Sequence, residues 1–175
     1  GTDRTATYTS GSGSTPLVFQ YTIQAGETDS DGISIGANAL ALNSGTIKDA
    51  AGNDATITHS SVADNSSYKV DTTAPTVSSV AITSATGIQN SLLNAGDVIS
   101  VTATFSENVP VTGTPQLTLV VGVTNRTATY TSGSGSTPLV FQYTIQSGET
   151  DSDGISIGAD ALALNSGTIK DAAGN

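Results

Sequence analysis

Asp97-Val98-Ile99-Ser100-Val101-Thr102-Ala103-Thr104-Phe105 is the stretch on which the fold turns. Ile99, Val101, Ala103 and Phe105 step by two, with Ser100, Thr102 and Thr104 between them. That period, built from β-branched and aromatic residues, belongs to a half-buried strand. The strand is expected to stop at Ser106-Glu107-Asn108-Val109-Pro110, because Pro110 has no N–H for a ladder. Upstream, Ala74 to Ile82 alternates in the same way and reads as a first strand, with a turn-rich stretch from Gly87 to Gly96. Downstream, Gln116 to Val121 reads as a third strand. Arg126 to Thr131 and Leu139 to Ile145 form a hairpin-like pair across the flexible tip Ser132 to Pro138. After Gly148-Glu149-Thr150-Asp151-Ser152-Asp153-Gly154 comes an extended segment, Ile155 to Ile169, and then the turn Asp171-Ala172-Ala173-Gly174-Asn175. Ala159 to Leu164 is ambiguous between strand and helix.

The chain also repeats itself. Residues 1–53 return as 123–175 at an offset of 122, differing only at Gly1/Val123, Asp3/Asn125, Ala25/Ser147 and Asn38/Asp160. Self-similarity at a fixed spacing is the mark of a tandem array. The phase is shifted: residues 1–70 read as the C-terminal part of one repeat, and 71–175 as the next repeat without its last strand. Ser67-Tyr68-Lys69-Val70-Asp71-Thr72-Thr73-Ala74-Pro75 is the junction. The earlier copy supplies the missing strand as Asp54 to His59, continuing to Tyr68-Lys69-Val70. About seven short strands per repeat, separated by turns, predict an all-β fold of tandem Ig-like antiparallel β-sandwich repeats of about 122 residues. With no Cys or Trp, the antibody type is excluded. The phase suits a window cut from a longer array better than open ends that complete each other between molecules.

Composition narrows the function. Of 175 residues, 15 are acidic and five basic, and the net charge of −10 argues against nucleic acid or an anionic membrane as a partner. No apolar run suggests direct membrane insertion. His59 has neither a nucleophile motif nor a third member beside it, and the Gly-Ser loops lack the Lys of a phosphate loop, so no enzyme is expected. Asn65-Ser66-Ser67 and Asn125-Arg126-Thr127 are glycosylation sequons, meaningful in a suitable secretory pathway.

The acids carry the functional signal. With strands running alternately up and down, Asp71, Glu107, Asp171 and Asn175 fall at the entry end of a repeat. Glu149, Asp151 and Asp153 fall at the exit end. At the junction, Glu27, Asp29, Asp31 and Asp64 of one repeat are expected to approach Asp71, Glu107, Asp171 and Asn175 of the next, with Lys69 the cation nearby. Asp49 and Asn53 hold the corresponding turn in the first copy. Converging carboxylates repel unless neutralised. Calcium takes six to eight oxygens from carboxylates, amides and carbonyls, which makes it the expected ion. The competing reading is that these acids solvate turns. Glu-Thr-Asp-Ser-Asp-Gly matches the opening spacing of an EF-hand, but its flanks read as strands and its first and twelfth positions are wrong.

Five phrases carry a resemblance: Val70-Asp71-Thr72-Thr73-Ala74-Pro75-Thr76-Val77, Phe105-Ser106-Glu107-Asn108-Val109, Gly113-Thr114-Pro115-Gln116-Leu117-Thr118-Leu119, Thr168-Ile169-Lys170-Asp171-Ala172-Ala173-Gly174-Asn175 and Asp64-Asn65-Ser66-Ser67-Tyr68-Lys69-Val70-Asp71. Together they resemble the bacterial Ig-like repeats of giant surface adhesins exported by the type I (RTX) route, although no RTX nonapeptide is present. The resemblance implies an extracellular, cell-surface extender, rigidified by calcium at its linkers, in a stalk that supports adhesion. It points to Asp71, Glu107, Asp49/Asp171 and Asn53/Asn175 as ligands. The implied partners are neighbouring identical repeats, in the same or adjacent chains, and surface glycans reached through other domains. The alternatives are a glycan- or ice-binding module using exposed Thr and Tyr, and an accessory domain of a secreted hydrolase.

Overall fold

The computed structural model of the chain describes residues 2–175, and among them there is no α-helix. The chain forms two compact units, Gly1–Thr73 and Ala74–Asn175. The division falls inside the junction phrase, a few residues past the expected boundary at 70/71. The fold is all-β, with several separate sheets.

The first unit contains β1 (Thr7–Ser10), β2 (Val18–Gln20), β3 (Thr28–Asp29), β4 (Ile33–Ile35), β5 (Val62–Asn65) and β6 (Val70–Asp71). They pair antiparallel as β1–β2, β3–β6 and β4–β5. Asp54 to His59 does not form the strand its sequence suggested. After a bridge between Lys48 and Asp54 the ladder is abandoned, and His59 instead knits a loop. Its Nε2 accepts the N–H groups of Ala39 (2.9 Å) and Leu40 (3.3 Å), and its own N–H donates to Asn38 Oδ1 (3.1 Å). Side-chain bonds of this kind compete with a sheet for the same backbone groups. His59 is thus a loop-forming residue rather than a strand residue.

The second unit contains β7 (Val77–Ala85), β8 (Val98–Val109), β9 (Val111–Thr112), β10 (Gln116–Val121), β11 (Thr124–Ser132), β12 (Ser136–Thr144), β13 (Leu162–Ala163) and β14 (Thr168–Ile169). A six-stranded antiparallel sheet runs β13-β10-β11-β12-β8-β7, and β14 pairs with β9. The period of two fixes its inner face: Ile99, Val101, Ala103, Phe105, Leu117, Leu119, Ala128, Leu139 and Phe141 form one buried cluster. Full burial of a side chain such as Leu117 or Val101 contributes about 1.5–3 kcal/mol. Ile155, Ile157, Ala161, Leu162 and Ile169 pack on this cluster from the chain that follows β12. Ala159 to Leu164 is therefore extended or turned. Its Asp160 takes a positive φ, and Leu162 and Ala163 join β10.

β8 runs past Phe105 to Val109, four residues further than its polar end suggested. Neighbours continue to pair there: Ser106 N–H donates to Thr76 O (2.8 Å), Thr76 N–H donates to Ser106 Oγ (3.0 Å), and Gly135 N–H donates to Val109 O (3.0 Å). Pro110 then ends the strand. The Gly-Ser tips are tied rather than loose. Tyr130 Oη accepts Ser134 N–H (2.7 Å), and Tyr8 Oη accepts Ser12 N–H (2.8 Å).

The repeated sequence builds the same hairpin in both units. Thr7↔Gln20, Tyr8↔Phe19 and Ser10↔Val18 in β1–β2 match Thr129↔Gln142, Tyr130↔Phe141 and Ser132↔Val140 in β11–β12, with the same bulge.

Candidate functional site

Acidic side chains gather at three places, two of them in the second unit. Glu107, half-buried near the end of β8, and Asp171, buried after β14, bring carboxylate oxygens within 4.8 Å of each other. Asp171 is held by its own turn. Oδ1 accepts the N–H groups of Gly174 (2.7 Å) and Asn175 (2.9 Å), and Oδ2 accepts from Asn175 Nδ2 (2.8 Å). The Asn175 amide, followed by these N–H groups, holds the Asp171 carboxyl below its ordinary pKa despite its burial. In the first unit Asp49 repeats the arrangement, accepting Ala51 N–H (2.9 Å), Asn53 N–H (2.9 Å) and Asn53 Nδ2 (2.8 Å). Asp-Ala-Ala-Gly-Asn is thus a self-closed turn that presents an ionised carboxylate.

The second place is at the opposite end of the six-stranded sheet. Asp151 Oδ2 accepts Gly122 N–H (2.8 Å) from the turn between β10 and β11, and Oδ1 accepts the N–H groups of Gly154 (2.7 Å) and Asp153 (3.2 Å). Gly122 N–H is the main cause of the lowered Asp151 pKa. Asp151 and Asp153 line a depression of about 400 Å³ there.

The third place lies wholly in the first unit. Asp29, Asp31, Asp64 and Asp71 line a depression of about 660 Å³ together with Lys69. Two ladders create it: Thr28↔Asp71 and Asp29↔Val70 on one side, Ile33↔Asn65 on the other. The loop between β3 and β4 closes when Asp29 Oδ1 accepts Gly32 N–H (2.7 Å), a bond that also leads the lowering of the Asp29 pKa. Gly32 has φ 114°, and a Cβ there would lie 2.1 Å from Asn65 O, so this loop requires glycine. Its flanks are strands, not the helices of an EF-hand.

Glu27 and Glu149 stand apart from these groups. Glu149 is almost fully buried and accepts from Tyr143 Oη (2.6 Å), Gln146 N–H (2.8 Å) and Arg126 Nε. Burial raises its pKa, and these three donors outweigh burial and leave it lowered. Burial, followed by the Glu149 carboxylate, pushes Tyr143 up to about 12. Glu27 repeats the design with Gln24 N–H (2.7 Å), Tyr21 Oη (2.5 Å) and Arg4 Nε (2.5 Å). Both glutamates therefore brace the hairpin from inside. Sequence reasoning missed this role; its signal was an Arg at the same place in both copies of a chain with only five basic residues.

Each remaining acid group offers hard oxygen donors, free of His and Cys, and holds one carboxylate (Asp171, Asp151 or Asp29) ionised by N–H bonds. That donor chemistry fits calcium or magnesium and not zinc or copper. The fold and its sites define an all-β protein with recurrent acidic turns. No protein-family model, no curated protein and no solved structure matches the chain.

Proposed function

We propose that the chain is a structural extender: tandem Ig-like β-sandwich repeats of a long extracellular surface protein, stiffened by calcium at the junctions between repeats. The observation that carries this reading is the approach of Glu107 and Asp171 to within 4.8 Å at the end of the second unit that receives the linker. Thr76 is hydrogen-bonded in both directions to Ser106, the neighbour of Glu107. Asp71 is only five residues before Thr76, so the chain itself tethers a third carboxylate within reach of that pair. Calcium held by Asp71, Glu107 and Asp171, with Asn175 closing the turn, would neutralise the acids and limit the angle of the linker. Without the ion, repulsion leaves the linker to swivel. The role is mechanical and needs no catalysis. A stack of such repeats makes a stalk whose length follows copy number, as adhesion or attachment to a surface requires.

A second reading, a glycan- or ice-binding module, draws on Thr127, Thr129 and Thr131, which are exposed on β11. It is the weaker one. Bulges in β7, β8 and β11 bend the sheet out of a plane, and the Tyr8 and Tyr130 hydroxyls are engaged by the hairpin tips.

Calcium titration calorimetry on the intact chain tests the proposal. Saturable binding that E107Q and D171N each weaken at least several-fold supports it. Binding unchanged by both variants, or no binding, overturns it.

A further inference from the structure

Asp31-Gly32 and Asp153-Gly154 are the Asp-Gly steps of the chain, and the sequence contains no Asn-Gly step. An Asp-Gly step carries a reaction of its own. The glycine nitrogen, unshielded by a side chain, attacks the aspartate Cγ. The new N–C bond closes a five-membered succinimide, and the protonated carboxyl loses its OH, which leaves as water with the proton of that nitrogen. Water then opens the ring at either carbonyl. One opening restores aspartate. The other gives isoaspartate, whose main chain runs through the side-chain carbons and gains one backbone atom. The sequence of steps is an isomerisation and needs no oxidant or reductant.

Asp31 and Asp153 are both exposed, and both steps are held in the same way. Gly32 N–H donates to Asp29 Oδ1 (2.7 Å) and Gly154 N–H to Asp151 Oδ1 (2.7 Å), with the glycines at φ 114° and 106°. The nitrogen that must attack is therefore bound to the carboxylate two residues before the aspartate. We propose that Asp31 and Asp153 are isoaspartate-forming sites held in check by Asp29 and Asp151, whose carboxylates keep the Gly32 and Gly154 nitrogens from reacting. Ring closure requires the nitrogen to give up its proton. A bond from N–H to a carboxylate is of the stronger, charge-assisted kind, and a negative charge alongside disfavours the deprotonated amide. The Gly32 N–H at Asp29 and the Gly122 N–H at Asp151 lead the lowering of the two pKa values, so both guards are charged at neutral pH. The clasp recurs in different surroundings. Asp151 is also tied to the Gly122 turn, whereas Gly32 lies against Asn65. It therefore belongs to the Asp-Ser-Asp-Gly loop itself. The consequences of isomerisation differ between the units. A Cβ on Gly32 would lie 2.1 Å from Asn65 O, whereas one on Gly154 meets nothing within 4 Å. An added main-chain atom at Asp31 has no such room and should push β4 off β5.

Ageing the full-length chain at neutral pH tests this, with EDTA present so that no cation occupies the guarding carboxylates. Electron-transfer fragmentation of the digested chain reads isoaspartate at each step, and the differences Ala25/Ser147 and Asn38/Asp160 tell the two peptides apart. Asp151→Ala should raise isoaspartate at Asp153 several-fold and leave Asp31 at its wild-type rate. Asp29→Ala should do the reverse, so each variant carries its own control. Wild type unfolded in guanidinium should isomerise at both steps alike, several-fold faster than the folded chain. That comparison needs no variant and stands even where a variant fails to fold. Folded wild type isomerising as fast as the unfolded chain, no rise at the unguarded step, or a rise at both steps together would each overturn the proposal.

Discussion

Phe19 and Phe141 occupy the same place in two copies of one sequence, yet Phe141 is wholly buried while Phe19 is 38% exposed. Each meets a tyrosine edge-on, Tyr8 at 5.8 Å and Tyr130 at 5.9 Å, with the rings inclined at 68° in both pairs. Local sequence therefore sets the hairpin and its aromatic pair, and the strands that pack on it set the burial.

That difference makes the two phenylalanines unequal in stability. Phe141→Ala removes a fully packed ring and should cost about 3–5 kcal/mol in urea unfolding of the second unit. Phe19→Ala should cost only about 1 kcal/mol. Equal losses would mean that burial of the repeated hairpin is the same in both units.

The Arg126–Glu149–Tyr143 group predicts two pH limits. Glu149 has a lowered pKa in the folded chain, so its contribution is complete above the unfolded value of about 4.3 and fades as pH falls through the folded value. Tyr143 is raised to about 12, so its contribution is complete below about 10 and is lost as pH climbs from there towards 12. The destabilisation caused by Glu149→Gln should be largest at neutral pH and shrink in acid. Tyr143→Phe should remove the extra alkaline sensitivity. Chemical unfolding across pH reads both.

Gly32→Ala places a Cβ against Asn65 O at a φ that L residues rarely adopt. It should cost about 2 kcal/mol or more and loosen β4 against β5. The matched change Gly154→Ala has the same positive φ but meets no atom within 4 Å, so it should cost less. Hydrogen exchange at Ile33 and Ile35 would report the loosening.

Alternation made β10 legible to the residue and β8 to within its polar end. What hid the end of β8 is that Ser106 bonds through both its backbone and its hydroxyl to Thr76, a partner thirty residues away in sequence. Asp54 to His59 looked like a strand because Ala55 and Ile57 alternate with threonines, but the His59 ring takes the backbone donors of Ala39 and Leu40. The acids were legible as residues, and only some of them as groups. Asp151 and Glu149 share one loop, and only tertiary contacts send one to the Gly122 turn and the other beneath Tyr143. The approach of Glu107 to Asp171 followed from letting successive strands run up and down.

Asp171→Asn keeps the size of the side chain but removes its charge from the Asn175 turn. In EDTA the variant should melt below wild type, because an amide nitrogen replaces an oxygen that accepts from the turn, and the further gain on adding calcium should be much smaller than for wild type. Calcium at one hundred times its dissociation constant stabilises a single site by about 2.7 kcal/mol, which scanning calorimetry resolves readily. A variant that gains as much as wild type would remove Asp171 from the ligand set.

The most direct measurement is small-angle scattering, with thermal unfolding on the same samples, from a protein of two complete repeats in calcium and then in EDTA. The calcium-stiffened extender predicts a longer, stiffer particle and a higher melting temperature with the ion, both reversed by EDTA. A particle whose length and melting temperature ignore calcium would contradict it, and the acids would then be solvated turns.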